Sequence, residues 1–184
     1  MSNADIQSYA VPGEKLLWLG RPKQGLMFSR KDLLLVPFSL MWGGFAIFWE
    51  SMAARQANAP LFFKLWGLPF ILIGLYLIIG RFALDAFVRA RTQYAVSDQR
   101  IMILREGWFS KFLTVPLEQL QTLDLDQNGN GTGTISFGND IQIGYGRRGG
   151  GIGLWTPALS NTPKFLGIAN VRETFDLIQR ARNR

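Results

Sequence analysis

The chain has 184 residues, 48% hydrophobic and 13% aromatic, and carries a formal net charge of +7. It holds no cysteine and no histidine, which excludes disulfides, thiolate nucleophiles and Cys/His zinc sites and removes the commonest general base near neutral pH. A basic balance of this size suits nucleic acid, anionic lipid or a cytoplasmic membrane flank; the basic residues crowd beside the apolar segments, which favours the membrane.

Residues 1–32 form a polar lead-in. Its first thirty residues hold no apolar core of signal-peptide type, so no cleavable signal is expected. Leu16-Leu17-Trp18-Leu19 sits between charges and stops at Gly20-Arg21-Pro22. This predicts a short strand or turn packed on the following domain; the other reading is an interfacial anchor with Trp18 at headgroup depth.

Residues 33–90 read as a two-helix transmembrane hairpin with a cytoplasmic extension. Leu33 to Trp49 carries no charge and reaches the lower limit for a spanning helix, roughly 17–25 residues. Pro37 is tolerable near the first turns. Ser51 to Pro60 is a short, alanine-rich connector, and a second apolar run follows from Leu61 to Gly80, interrupted only by Lys64, which can snorkel from a helix end. Gly43 and Gly44 offer a flat face that Gly67 and Gly74 can meet across a tight hairpin. Pro69 is a candidate kink. Lys15, Arg21, Lys23, Arg30 and Lys31 precede the first run and Arg81, Arg89, Arg91 and Arg100 follow the second, against Arg55 and Lys64 at the connector. The positive-inside rule then places both termini in the cytoplasm of a multi-pass plasma-membrane protein, the inner membrane in a Gram-negative cell. Two buried helices of a soluble protein are the alternative, disfavoured by two such runs in succession.

The stretch Phe70–Thr92 joins hairpin to β-rich domain. Arg81 and Asp85 lie one turn apart and can pair. An unbroken helix to Ala90 would hold the domain close rather than on a flexible tether.

From residue 91 to 184 the period changes to two. Tyr94 and Val96, then Ile101 and Ile103, alternate around Ser97-Asp98-Gln99-Arg100 and predict a hairpin. Glu106-Gly107 marks a turn. Lys111–Val115 reads as a strand stopped by Pro116, and Gln121–Gln127 as a strand with Leu123 and Leu125 opposite Asp124 and Asp126. Asn128–Gly133 is a turn before a returning strand at Thr134–Phe137, with one further strand at 141–145. Val171, Phe175, Ile178 and Ala181 share one face of a closing helix, with Asn170 and Glu173 placed as a capping box.

Arg91-Thr92-Gln93-Tyr94-Ala95-Val96-Ser97-Asp98-Gln99-Arg100-Ile101 resembles the opening Tyr-x-Val/Leu-Thr-Asp-x-Arg-Ile/Val of bacterial pleckstrin-homology-like domains. Val115-Pro116-Leu117-Glu118-Gln119-Leu120 is similar to the family's Pro-Leu-x-x-Ile/Leu turn, and Phe165–Ala181 to its closing helix. Gly13, Glu14, Trp18, Gly20 and Pro22 match the lead-in of the family's membrane-anchored branch, Gly-Glu-x-x-x-Trp-x-Gly-x-Pro. The resemblance spans nearly the whole chain. Ser97 replaces the usual threonine but keeps the hydroxyl, and the glycine-rich loop from Gly144 to Gly153 has no counterpart. The resemblance implies an α+β fold, a transmembrane α-hairpin followed by a PH-like β-barrel or split sheet closed by a C-terminal amphipathic helix. It implies neither phosphoinositide binding nor catalytic residues.

Gly144-Tyr145-Gly146-Arg147-Arg148-Gly149 has dinucleotide-fingerprint spacing, but the glycines after it cannot open the helix that chemistry needs. Arg147 and Arg148 are instead candidate phosphate contacts, or a solvated loop. Trp108 and Phe109, with Lys111 adjacent, suit a headgroup layer or a docking partner, or packing on the domain's end. Asp124, Asp126 and Asp140 lack calcium-loop spacing. No cofactor, metal or catalytic residue is expected, and no nucleic-acid stripe is present.

The first functional reading is a non-enzymatic, membrane-anchored module that scaffolds protein–protein interaction or self-assembly at the cytoplasmic face, its partner unidentified. One alternative is a sensor of anionic lipid headgroups; another is a structural subunit of a larger membrane complex.

Overall fold

The computed structural model describes residues 6–28, 32–56, 60–120, 122–138, 156–160 and 162–183. Outside the described residues lie Arg30, Lys31, Asp140, the strand expected at 141–145, the glycine-rich loop with Arg147 and Arg148, Arg184 and the Lys64 side chain. The chain divides into two compact units: Leu26–Asp85, and Met1–Gly25 together with Ala86–Arg184.

The first unit is helical. Helix α1 spans Asp32–Arg55. A second, interrupted rod follows as α2 (Leu61–Trp66), α3 (Leu68–Leu75), a π-helical turn at Tyr76–Gly80 and α4 (Arg81–Ala90). From Leu68 it is helical without a gap to Ala90, so the unit boundary falls inside it, and β-structure begins at Thr92. Both long helices are long and apolar enough to cross a membrane: 24 residues of α1 extend about 36 Å against a hydrocarbon core of about 30 Å. Asp32 opens α1 and Arg55 ends it, the charge order its dipole favours. The break in the rod falls at Gly67, not at Pro69, because Pro69 occupies the first turn of α3, where its missing N–H has no helical partner to lose.

Between the helices the contacts are small and close. Leu35, Ser39, Gly43 and Ala46 form the buried stripe of α1, and Gly74 and Leu77 are buried on the returning rod. A Cβ on Gly74 would stand 2.9 Å from the Gly43 Cα, so the two backbones touch there. Leu33, Leu34, Met41, Phe45, Phe48, Leu61 and Leu72 all stay more than half exposed and form an outward apolar surface.

The second unit is β-rich. β1 (Leu16–Gly20), β2 (Thr92–Ser97), β3 (Arg100–Arg105) and β4 (Lys111–Pro116) form an antiparallel sheet in that order. β5 (Asp124–Gln127), β6 (Gly133–Ser136) and β7 (Lys164–Ile168) form a second antiparallel sheet, and helix α5 (Val171–Arg182) follows. The described residues make a split sheet, not a closed barrel. β1 precedes the apolar segment in the chain yet pairs with β2, Gly20 opposite Tyr94. Leu16–Gly20 is thus a strand, and Trp18 is turned inward to stack on Phe165 at 5.4 Å.

Phe165 centres the core. Tyr94 stacks on it at 4.6 Å, Phe137 meets it edge-on at 4.8 Å, and Val96, Ile101, Ile135, Ile168, Val171 and Ile178 pack around it. The outer face of the first sheet carries a second cluster, Ala95, Met102 and Leu104, covered by Ile6 from a 3-10 turn at Ile6–Tyr9.

Two details differ from the sequence expectation. Phe165–Ile168, which the resemblance assigns to the closing helix, belongs instead to strand β7, because these residues pair with β6; the helix begins at Val171, after Asn170 in the left-handed region, where the residue pattern alone places its start. Asn170 accordingly does not cap with its side chain: in the left-handed region, its amide donates instead to Glu173 Oε2 at 3.3 Å.

Candidate functional site

Strand alternation builds a polar end onto an apolar core. On the inner face of the first sheet, Val96, Ile101 and Val115 stand in one cross-strand row and Tyr94, Ile103 and Leu113 in the next. The third row is Thr92, Arg105 and Lys111. Side chains two residues apart share a face, so two cations occupy the positions where the core would otherwise continue.

The opposite wall comes from the second sheet and the turn before it. Pro157, Ala158, Ser160, Thr162, Lys164 and Leu166 line the far side, and Arg89 stands at the edge. The cleft between these walls has a volume of about 30 Å³. Arg89, Arg105, Lys111 and Lys164 contribute to its lining, and no Asp or Glu does so among the described residues. Arg105 Nε is buried there without a hydrogen-bond partner, and burial holds its guanidinium below the ordinary arginine pKa. Arg89 is committed structurally: its two Nη groups donate to the carbonyls of Lys23 and Gly25. Tyr94 Oη accepts the Leu166 N–H at 3.1 Å, tying the two walls together.

Arg105 and Lys111 are also the base of the β3–β4 hairpin. Gly107 takes φ of +91° in its turn, a conformation glycine adopts freely, and the Ser110 N–H bonds to the Gly107 carbonyl at 3.0 Å. At the tip Trp108 is 94% exposed and Phe109 40%. Packing of Trp108 onto the domain's end is therefore absent, and the indole is presented to whatever lies beyond.

The remaining residues singled out from sequence are dispersed. Arg81 Nη1 pairs with Asp32 Oδ1 at 2.8 Å in a nearly solvent-free setting, and its guanidinium lies 4.3 Å over the Phe82 ring; Asp85 is buried. Arg91 lies over Phe87 at 3.7 Å, on the β-rich unit. Gly43 faces Gly74, Gly44 has open space around it, and Gly67 faces the Glu50 carboxylate, which a Cβ there would displace. Of the candidate contacts, Lys111 lines the cleft and Trp108 and Phe109 cap the hairpin above it. Arg105 and Lys164 were not expected there. Arg105 is detectable in the sequence, since it shares its alternation phase with Ile101 and Ile103; Lys164 is not, because its wall lies far along the chain.

No group of His, Cys, Asp or Glu able to hold a metal ion occurs among the described residues. A family model described as bacterial PH domain matches residues 44–182. No curated protein and no solved structure matches the chain.

Proposed function

The chain belongs to the bacterial PH domain family, and on that premise we propose that it is a non-enzymatic, membrane-anchored module whose PH-like unit docks on an anionic headgroup layer at the cytoplasmic face. The two apolar helices supply the anchor and the positive-inside bias supplies the orientation, both termini cytoplasmic. The observation that carries the reading is Trp108, 94% exposed at the tip of a hairpin whose base is Arg105 and Lys111. An amphipathic indole beside cations is the side-chain set that settles at a membrane interface. Anchoring raises the unit's effective concentration at the bilayer, so weak contacts suffice.

Full-length protein in nanodiscs containing brominated phosphatidylglycerol tests this. The fluorescence difference between wild type and W108F isolates Trp108, and docking predicts bromine quenching of that difference signal. Trp108 emission that bromine leaves unchanged counts against the reading.

A second reading is scaffolding of a protein partner or of a second copy. It is favoured by β4, which ends its sheet in the order β1-β2-β3-β4 and exposes Lys111 and Phe112. An edge strand left unpaired among the described residues accepts a strand from another chain. Cross-linking in native membranes distinguishes the two, by recovering a defined protein adduct through β4 or none.

A further inference from the structure

We propose that the cleft between the two sheets is a site for a phosphate group, gripped by Arg105 and Lys111 and faced by Lys164, Ser160 and Thr162. This rests on the headgroup-docking reading and names its chemistry.

Three features point to an anion. Arg105 and Lys111 are direct cross-strand partners, and like charges set opposite each other destabilise a sheet. Lys164 and Arg89 place further cationic side chains in the same lining, from other elements. Arg105 Nε is buried without a partner, an arrangement that is costly until an acceptor arrives. An anion bridging Arg105 and Lys111 relieves their mutual repulsion and gives Arg105 Nε an acceptor.

Geometry narrows the anion. A guanidinium fork beside an ammonium matches the oxygens of a phosphate. Ser160 Oγ accepts the Thr162 N–H at 3.3 Å and so keeps its own proton to donate. A volume of about 30 Å³ admits one or two water-sized atoms. The cleft therefore takes phosphate oxygens while the rest of the molecule stays at the mouth, and an inositol ring or nucleobase does not fit inside. A lipid phosphate and a soluble phosphate compound present the same oxygens.

The test uses the full-length protein in zwitterionic nanodiscs, titrated with inorganic phosphate at constant ionic strength, with the thermal midpoint and ³¹P line width as readouts. A parallel arm adds phosphatidic acid to the nanodisc and no free phosphate. A rise in the midpoint is expected in at least one arm, with binding about tenfold weaker in R105Q and in K111Q, the loss expected for one charge-assisted hydrogen bond. A response to inorganic phosphate alone assigns the site to soluble phosphates, and a response to phosphatidic acid alone assigns it to the headgroup. K111Q guards against misfolding: Lys111 is exposed, and removing it relieves repulsion, so the unliganded midpoint holds or rises. No response in either arm, or one that R105Q and K111Q leave intact, overturns the site. Trp108 quenching reads separately, so its retention without a phosphate response overturns the cleft alone, and the converse overturns membrane docking alone.

Discussion

Glu14 and Arg100, 86 residues apart in the chain, meet in a two-pronged ion pair, Nε donating to Oε1 and Nη2 to Oε2, each at 2.9 Å. The Glu14 side chain is wholly removed from solvent, and its remaining lone pairs are taken by the Ser97 hydroxyl at 2.6 Å and the Val11 N–H at 2.8 Å. Ser97 in turn accepts the Arg100 N–H at 2.9 Å, which closes the β2–β3 turn. The two motifs of the family resemblance, one in the lead-in and one in the first hairpin, are therefore the two halves of a single clasp. It holds β1 on the sheet although the whole helical unit separates β1 from β2 in sequence.

The clasp makes stability depend on acid. The Arg100 hydrogen bond, opposed by burial and reinforced by Ser97, Val11 and the Arg100 charge, lowers the Glu14 carboxyl from 4.5 to about 2. The folded value lies below the ordinary one, so the contribution is complete above about pH 4.5 and disappears as the pH falls toward 2. Its size is about 3 kcal/mol, the shift expressed as linkage free energy. Thermal unfolding of the full chain in detergent across pH 2 to 6 should show this acid limb, and E14Q should flatten it while lowering the midpoint at pH 7. An E14Q variant with the wild-type acid limb would assign the pH dependence elsewhere.

Arg89 supplies a second fastening of the lead-in. It is 1% exposed and donates to the carbonyls of Lys23 and Gly25, while the Lys23 N–H bonds to the Gly167 carbonyl at 2.8 Å. R89M leaves two carbonyls without their donor, at a cost of about 2–4 kcal/mol. Trypsin should then cut after Lys23 at least tenfold faster than in wild type. Unchanged cleavage would mean the segment is held without Arg89.

How far this was legible in the sequence differs by element. The β2–β3 hairpin reads directly, because Tyr94, Val96, Ile101 and Ile103 alternate cleanly and Ser97 begins a turn. β7 does not, because Lys164–Ile168 has four consecutive buried residues, Phe165 to Ile168, a run without a period that either a strand or a helix can produce. The π-helical turn at Tyr76–Gly80 leaves no mark either, since Leu, Ile and Gly suit an ordinary membrane helix equally well. The cleft was half legible: an inward phase identifies Arg105 and Lys111, but the wall that converts them into a site is supplied by tertiary structure.

The hairpin glycines separate into a tight contact and an open position. Gly74 faces the Gly43 backbone, whereas Gly44 has nothing within 4 Å of a built Cβ. G74V must push α1 and α3 apart, costing about 1–3 kcal/mol, and G44V meets no such obstacle. Thermal midpoints in detergent should fall for G74V and stay near wild type for G44V. Equal effects would show that the helices do not pack through Gly43 and Gly74 in solution.

The helix that carries the chain from one unit into the other makes the last prediction. It is helical from Leu68 to Ala90, with only Arg91 before β2 begins at Thr92. The chain contains no cysteine, so single cysteines carrying spin labels can be placed at each position from 81 to 90 without background. Label mobility and accessibility should oscillate with the 3.6-residue period of a helix, Val88 and Arg89 immobile and Phe87 more mobile, following their burial. Uniformly fast motion across these ten positions would show that this segment is a tether rather than a helix.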